Sequence, residues 1–277
     1  MANIQAKFIS LKTNKLIQFI VYSNIWISIG ATFLCWQIFY LNQLETNYSY
    51  LLFIFFSTLF SYNLQRLTRI KSIAKQSPNS WVVKHKQEAN ILLAISFVGA
   101  LCTAPIFKFP FTLFWLVVLG IVSVGYSYKN FRDIPYLKII MISISWGIAC
   151  AIIPFIIDGN YQFSTLILNF CIITLYITAI TIPFDIRDLG LDEDTKKTIP
   201  QVVGISKAKN IALLLLGISL ILFAFQFAIF QTIIYMIASL LSGYLIKNSK
   251  KEQEDIYYTL FIDGHIILQF LLIFFLS

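Results

Sequence analysis

Charge is what this sequence has least of. Of its 277 residues, 12% are Asp, Glu, Lys or Arg and 58% are hydrophobic. A soluble domain carries roughly 25% charged residues, and half that density cannot cover a water-facing surface. Acids are the scarcer sign, 13 against 21 Lys and Arg. Cysteine is scarce too: Cys35, Cys102, Cys150 and Cys171 each stand alone inside an apolar run. That spacing argues against a disulfide framework and a thiolate metal cluster, and the four read as small core or lipid-facing residues. The first fifteen residues lack a compact apolar stretch with a small-residue cleavage site, so no signal peptide is expected. The net charge of +8 would suggest nucleic acid on a soluble protein. Here the basic residues lie between apolar runs, which points to anionic headgroups or substrates and not to nucleic acid.

What the chain has in abundance is long apolar runs. Nine segments, 16–41, 48–65, 89–107, 109–127, 136–157, 163–184, 209–228, 231–247 and 256–276, approach the roughly 20 apolar residues that a helix needs to cross a bilayer. The expected fold is all-α and transmembrane, one integrated domain over residues 1–277. The basic residues test that reading. The N-terminal tail and alternate loops, ending with Lys247, Lys250 and Lys251, hold 20 of the 21 Lys and Arg; the other face receives only Lys108. Such alternation fits a multi-pass protein of a bacterial plasma membrane, its N-terminus and long basic loops cytoplasmic and its C-terminus external.

An internal repeat is visible. Gly-Tyr-Ser-Tyr-Lys-Asn at 125–130 is matched by Gly-Tyr-Leu-Ile-Lys-Asn at 243–248, and the polar ends of the second and sixth spans, near Asn63 and Asp185, are separated by a similar interval. Two four-helix units plus a ninth helix, arranged around a central cavity, are expected.

Five of the few acids fall within ten residues: Asp185, Asp188, Asp192, Glu193 and Asp194. On a helix, Asp185, Asp188 and Asp192 would share one face. Like charges there repel, and a bound cation removes the penalty; oxygen-only ligands suit Mg²⁺ completed by substrate phosphates. A solvated acidic loop has the same spacing. The depth of Asp185, separated from Ile182 only by Pro183 and Phe184, favours function, because charge at a membrane boundary is costly.

These residues resemble a family. Asp185-Ile-Arg-Asp188 through Asp192, followed by Lys197-Thr-Ile-Pro200-Gln-Val-Val-Gly204, resembles the second aspartate-rich motif of the UbiA prenyltransferase superfamily, and Tyr126-Ser127-Tyr128-Lys129-Asn130 with Pro135 is similar to a loop of that family. The resemblance implies a helical bundle that binds Mg²⁺ and a prenyl diphosphate and transfers the prenyl group to a lipophilic, often aromatic, acceptor. It implies that Asp185 and Asp188 are catalytic and that Asp185, Asp188 and Asp192 hold the metal. It further implies that Asn63, Lys129, Arg187 and Lys197 serve the diphosphate, with Tyr126 beside the isoprenoid.

One stretch departs from the pattern. The family's first motif, Asn-Asp-x-x-Asp-x-x-x-Asp, corresponds here to a segment that keeps Asn63 but carries Leu64, Leu67 and Lys71 in place of the three acids, and residues 66–87 contain no acid. Two readings follow. Arg66, Arg69 and Lys71 replace metal charge by gripping diphosphate directly, or catalysis is lost and the fold serves as a lipid-binding or scaffold protein. On the first reading, Asn63 and Arg66 face Asp185 and Asp188 across the cavity. Asp263 and His265, inside the ninth span, read either as a proton relay or as interhelical hydrogen-bonding groups. A transporter is disfavoured, because the spans lack paired Gly/Pro interruptions.

The charge alternation makes a direct prediction. Single cysteines at residues 75 and 196 should both be labelled by an impermeant thiol reagent from the cytoplasmic side. Labelling from opposite sides would refute the topology.

Overall fold

The computed structural model describes residues 14–78, 80–105, 109–127, 134, 136–189 and 198–277. Among the described residues the regular structure is helical, with no strand. That is the expected solution in lipid, where each backbone polar group must be paired within the segment. The first apolar run forms α1 (Lys15–Tyr22) and α2 (Ile25–Leu41), and the second α3 (Tyr48–Thr68). Short helices α4 (Ile70–Gln76) and α5 (Trp81–Lys84) cross the basic loop to α6 (Lys86–Thr103). A 3₁₀ turn at Pro110–Thr112 opens α7 (Leu113–Ser127). Then come α8 (Leu137–Gly147), a π-helical turn at Ile148–Ile152, α9 (Ile153–Asp158), α10 (Phe163–Arg187), α11 (Ile199–Val203), α12 (Ile205–Gln226) and α13 (Ile229–Asn248). A second π-helical turn, Tyr257–Ile262, leads into α14 (Asp263–Leu276).

Helix thus covers each of the nine predicted runs. Five stretches are long and apolar enough to cross a membrane: Leu137–Asp158, Phe163–Arg187, Ile205–Gln226, Ile229–Asn248 and Tyr257–Leu276; α1 with α2 makes a sixth if counted as one bent span. The chain is an integral membrane protein. The other three runs fall outside that count: α3 ends in Asn63, Gln65 and Arg66, α6 opens with Lys86, Gln87 and Glu88, and the fourth run contributes a shorter apolar helix, Pro110–Ser123.

The first run is not the single helix expected. It breaks at Ser23–Asn24 with a bend of 58°, and Asn24 adopts a left-handed conformation with φ 71°. A helix end inside a bilayer strands carbonyls that need donors. α3 supplies them. The Asn63 amide donates to the carbonyls of Ser23 (3.0 Å) and Leu59 (2.9 Å) and accepts from the Asn24 side chain (3.2 Å). Arg66 Nη1 donates to the Tyr22 carbonyl at 2.5 Å.

Helices α8 and α10 run antiparallel in close register. At one end Gly147 lies against the Phe170 ring and the Thr174 hydroxyl, so closely that an added Cβ would overlap both. Midway, Thr178 donates to Ser143 Oγ at 2.8 Å. Small residues permit such approach between membrane helices, and the register carries Lys138 to Asp185. The two π turns free backbone carbonyls, and aromatic donors from other helices take them up: Tyr50 donates to Ala149 O (2.7 Å) and Trp26 to Leu260 O (3.1 Å). At the opposite end of the bundle, the side chains of Asn42, Asn169 and Gln226 form a partly buried amide cluster joining α2, α10 and α12. Of the repeated hexapeptide, the copy at 243–248 closes α13, while residues 128–130 of the other copy lie outside the described residues.

Asn63→Ala removes one donor and one acceptor from the α1–α2 break, together with a bond to Leu59 O within α3. Loss of about 1–3 kcal/mol is expected, the cost of stranding buried polar groups. Thermal melting in detergent should show a lowered Tm; an unchanged Tm would contradict the capping role.

Candidate functional site

The charged site forms where α10 ends. Pro183 lies in the last two turns of the helix, which stops at Arg187 with Asp188 as its cap residue. Asp185 points inward and is 2% exposed. Across from it stands the first turn of α8, from which Lys138 Nζ reaches Asp185 Oδ1 at 2.6 Å and Asp188 Oδ2 at 3.7 Å. Arg187 continues the array: its Nε donates to Asp188 Oδ1 and its Nη1 to Asp255 Oδ1, both at 2.8 Å. The same guanidinium lies 5.2 Å from the Phe184 ring centre and 5.6 Å from that of Tyr258, within cation–π range. Arg66 and Asp263 are near enough to Arg187 and Asp255 for their charges to interact. Opposite charges therefore alternate along the site.

The Lys138–Asp185 pair is the most enclosed part, with side-chain exposures of 13% and 2%. Burying a pair is itself costly, and removing one partner strands the other charge, a loss of about 3–5 kcal/mol. A pair at such depth is more often functional than decorative.

The sequence-predicted residues divide as follows. Asp185, Asp188 and Arg187 come together. Arg66 stands at the edge of the charged array and bonds the Tyr22 carbonyl. Asn63, expected to look across at Asp185, turns its amide to the α1–α2 break, because the broken helix end needs donors there. Lys129, Asp192 and Lys197 lie outside the described residues, as does the side chain of Tyr126. His265 is a buried interhelical group, its Nδ1 3.0 Å from Tyr176 Oη and 2.8 Å from Ser242 Oγ. Sequence reasoning missed Lys138 and Asp255. Lys138 was hidden among the basic loop residues, although it sits inside the predicted span 136–157 and not in the loop before it.

A cavity of about 390 Å³ lies between α2, α3, α6, α7 and α8. Its walls are mainly apolar, including Phe53, Phe97, Leu116 and Trp146, with the hydroxyls of Ser57, Thr58, Ser61 and Ser145 interspersed. It follows α3 from Phe53 to Gln65, about 18 Å at 1.5 Å per residue. Ile142, also in the wall, lies one helical turn beyond Lys138 on the same face of α8. Leu64, one of the residues standing where the first motif would carry an acid, lines the cavity as well.

Among the described residues no group of three or more His, Cys, Asp or Glu encloses a metal position. Two carboxylates nevertheless suffice for Mg²⁺ when substrate phosphates complete its shell. The Lys138 ammonium occupies a point from which one cation reaches both Asp185 and Asp188. The donors present fit a metal shared with a diphosphate, held from the α10 side.

Comparison with known proteins agrees with this architecture. A UbiA homolog from Archaeoglobus fulgidus bound to GPP and Mg²⁺ has a TM-score of 0.66 at 16% identity, covering 94% of this chain and 99% of its own. The same homolog bound to DMAPP and Mg²⁺ gives 0.65 at 15% identity, with 94% and 98% covered. An apo UbiA homolog from Aeropyrum pernix K1 gives 0.58 at 12% identity, with 93% and 96% covered. No curated protein matches the sequence significantly. A model of the UbiA prenyltransferase family matches residues 82–251, more than half of the sequence, and the chain belongs to that family.

Proposed function

We propose that this protein transfers a prenyl group from a prenyl diphosphate to a lipophilic acceptor. The observation that carries this reading is the partly buried Lys138–Asp185–Asp188–Arg187 array one helical turn from an apolar cavity. The two Archaeoglobus structures are bound to GPP and DMAPP with Mg²⁺, substrates with a multiply charged diphosphate head and an apolar tail. Such a molecule matches a charged end joined to an apolar slot.

The prenyl chain lies in the cavity, whose walls keep water from the reacting carbon. The diphosphate faces the charged array. Transfer breaks the bond between C1 and the diphosphate oxygen; diphosphate leaves with the electron pair, and an acceptor atom bonds to C1 and gives up a proton. Mg²⁺, when bound, adds charge to offset the negative charge growing on the leaving group. Asp185 and Asp188 orient the cation at the head. Arg187, fixed between two carboxylates and two rings, presents a rigid positive dipole edge to the phosphate oxygens. Lys129, Lys197 and Asp192 are assigned by the family pattern to the same head. By the basic-residue alternation, the site faces the cytoplasm of a bacterial plasma membrane, the N-terminus on the same side and the C-terminus outside.

Purified protein given labelled geranyl diphosphate, Mg²⁺ and a lipid extract should release diphosphate and form a labelled lipid. Asp188→Asn should lower that rate by about 100-fold or more, as expected for loss of a charged group at the leaving-group end. Failure of the wild type to bind geranyl diphosphate, measured by calorimetry, would overturn the reading in favour of a non-catalytic lipid-binding role.

A further inference from the structure

We propose that Lys138 is a tethered cation that holds Asp185 and Asp188 in the empty site and releases them to Mg²⁺ when a diphosphate arrives. The inference rests on the diphosphate-binding reading above and deepens it by assigning the order in which the two ligands bind. It also departs from the sequence expectation that Arg66 faces the aspartates: the cation beside them is Lys138 of α8, while Arg66 bonds the Tyr22 carbonyl.

Three observations carry it. The Lys138 ammonium lies 2.6 Å from one carboxylate and 3.7 Å from the other, between the two groups that would share a cation. Ammonium and Mg²⁺ cannot occupy that place together, so the metal competes with a group of the protein that never diffuses away. Second, the segment that corresponds to the family's first motif carries no compensating acids. Leu64, Leu67 and Lys71 stand where the first motif would carry them, and residues 66–87 hold none; Mg²⁺ alone therefore meets two carboxylates that are already neutralised. Third, Lys138 is suited to exchange partners and its neighbour Arg187 is not. Arg187 is pinned by Asp188, Asp255 and the rings of Phe184 and Tyr258. Lys138 carries a compact charge on a four-carbon stem and binds phosphate as a point charge. It also lies one turn from Ile142 in the cavity wall, on the side from which the diphosphate head would come.

Binding then proceeds in a set order. The diphosphate draws the Lys138 ammonium off the carboxylates, and Asp185 and Asp188 would then be free to hold Mg²⁺. Neither ligand binds well without the other, and linkage requires the effect to be reciprocal.

Calorimetry on the purified protein tests this, with MgCl₂ and a non-hydrolysable geranyl diphosphate analogue as probes. For the wild type, Mg²⁺ alone should give no saturable binding, and the analogue should raise Mg²⁺ affinity by about 100-fold. Lys138→Gln should bind Mg²⁺ alone and reduce that coupling by about tenfold or more, while Lys138→Arg, which keeps the charge, should retain the wild-type pattern. Thermal melting of each variant identifies a misfolded one, in which case the wild-type coupling and the Lys138→Arg variant decide. Equal Mg²⁺ affinity in the wild type with and without the analogue, alongside normal analogue binding, would overturn the tethered-cation inference and leave the prenyltransferase reading intact. Absence of analogue binding by the wild type under all conditions would overturn both.

Discussion

A carboxylate buried at the end of a membrane helix requires a cation, and this requirement organises the protein. Asp185 is placed in the interior by the inward face of α10, and Lys138 is the positive group that reaches it. For the pair to meet, α8 and α10 must run side by side without bulk between them. Gly147 removes the side chain that would hold them apart, and the Ser143–Thr178 hydrogen bond fixes the slide of one helix along the other. Packing in the apolar middle of the bilayer and electrostatics at its edge are thus one constraint. A residue with no charge, Gly147, helps to determine where two charges stand.

The polar groups of the first motif show a different use of the same economy. In an apolar solvent each helix break is an energetic problem. The 58° bend between α1 and α2 is tolerated because Asn63 and Arg66 supply donors to the exposed carbonyls. The π turns follow the same rule, with Tyr50 and Trp26 as donors. Residues that might have been offered to a ligand are committed to keeping an irregular backbone inside lipid.

Much of the architecture was legible because membrane crossing imposes a simple demand. Apolar runs located every long helix, and the basic loops separated them. The break in the first run was not legible, since Ser23 and Asn24 are unremarkable inside an apolar stretch and the groups that stabilise the bend come from α3. In the site, the spacing and depth of Asp185 and Asp188 singled them out. Lys138 was not singled out, because the rule that explains lysines beside spans explained it too well. Charge partners across helices depend on register, and register is set by contacts such as Gly147 against Phe170 that no single segment displays. Asp255 was overlooked for the same reason: its partner, Arg187, is 68 residues away.

The apolar cavity and the charged array share helix α8. Cavity walls come from α2, α3, α6, α7 and α8 with its π turn, while Asp185, Arg187, Asp188 and Asp255 belong to α10 and the segments around it. Helix α8 joins them, with Ile142 in the cavity wall one turn from Lys138 on the same face, and α3 lines the cavity while bringing Arg66 to the edge of the array. On the prenyltransferase reading, tail fit and head chemistry are therefore separable traits. Exchanges at Phe53 or Phe97 would retune which chain length is admitted and leave the charges untouched, so descendants of such a protein are free to diversify in substrate size long before they alter how the leaving group is handled.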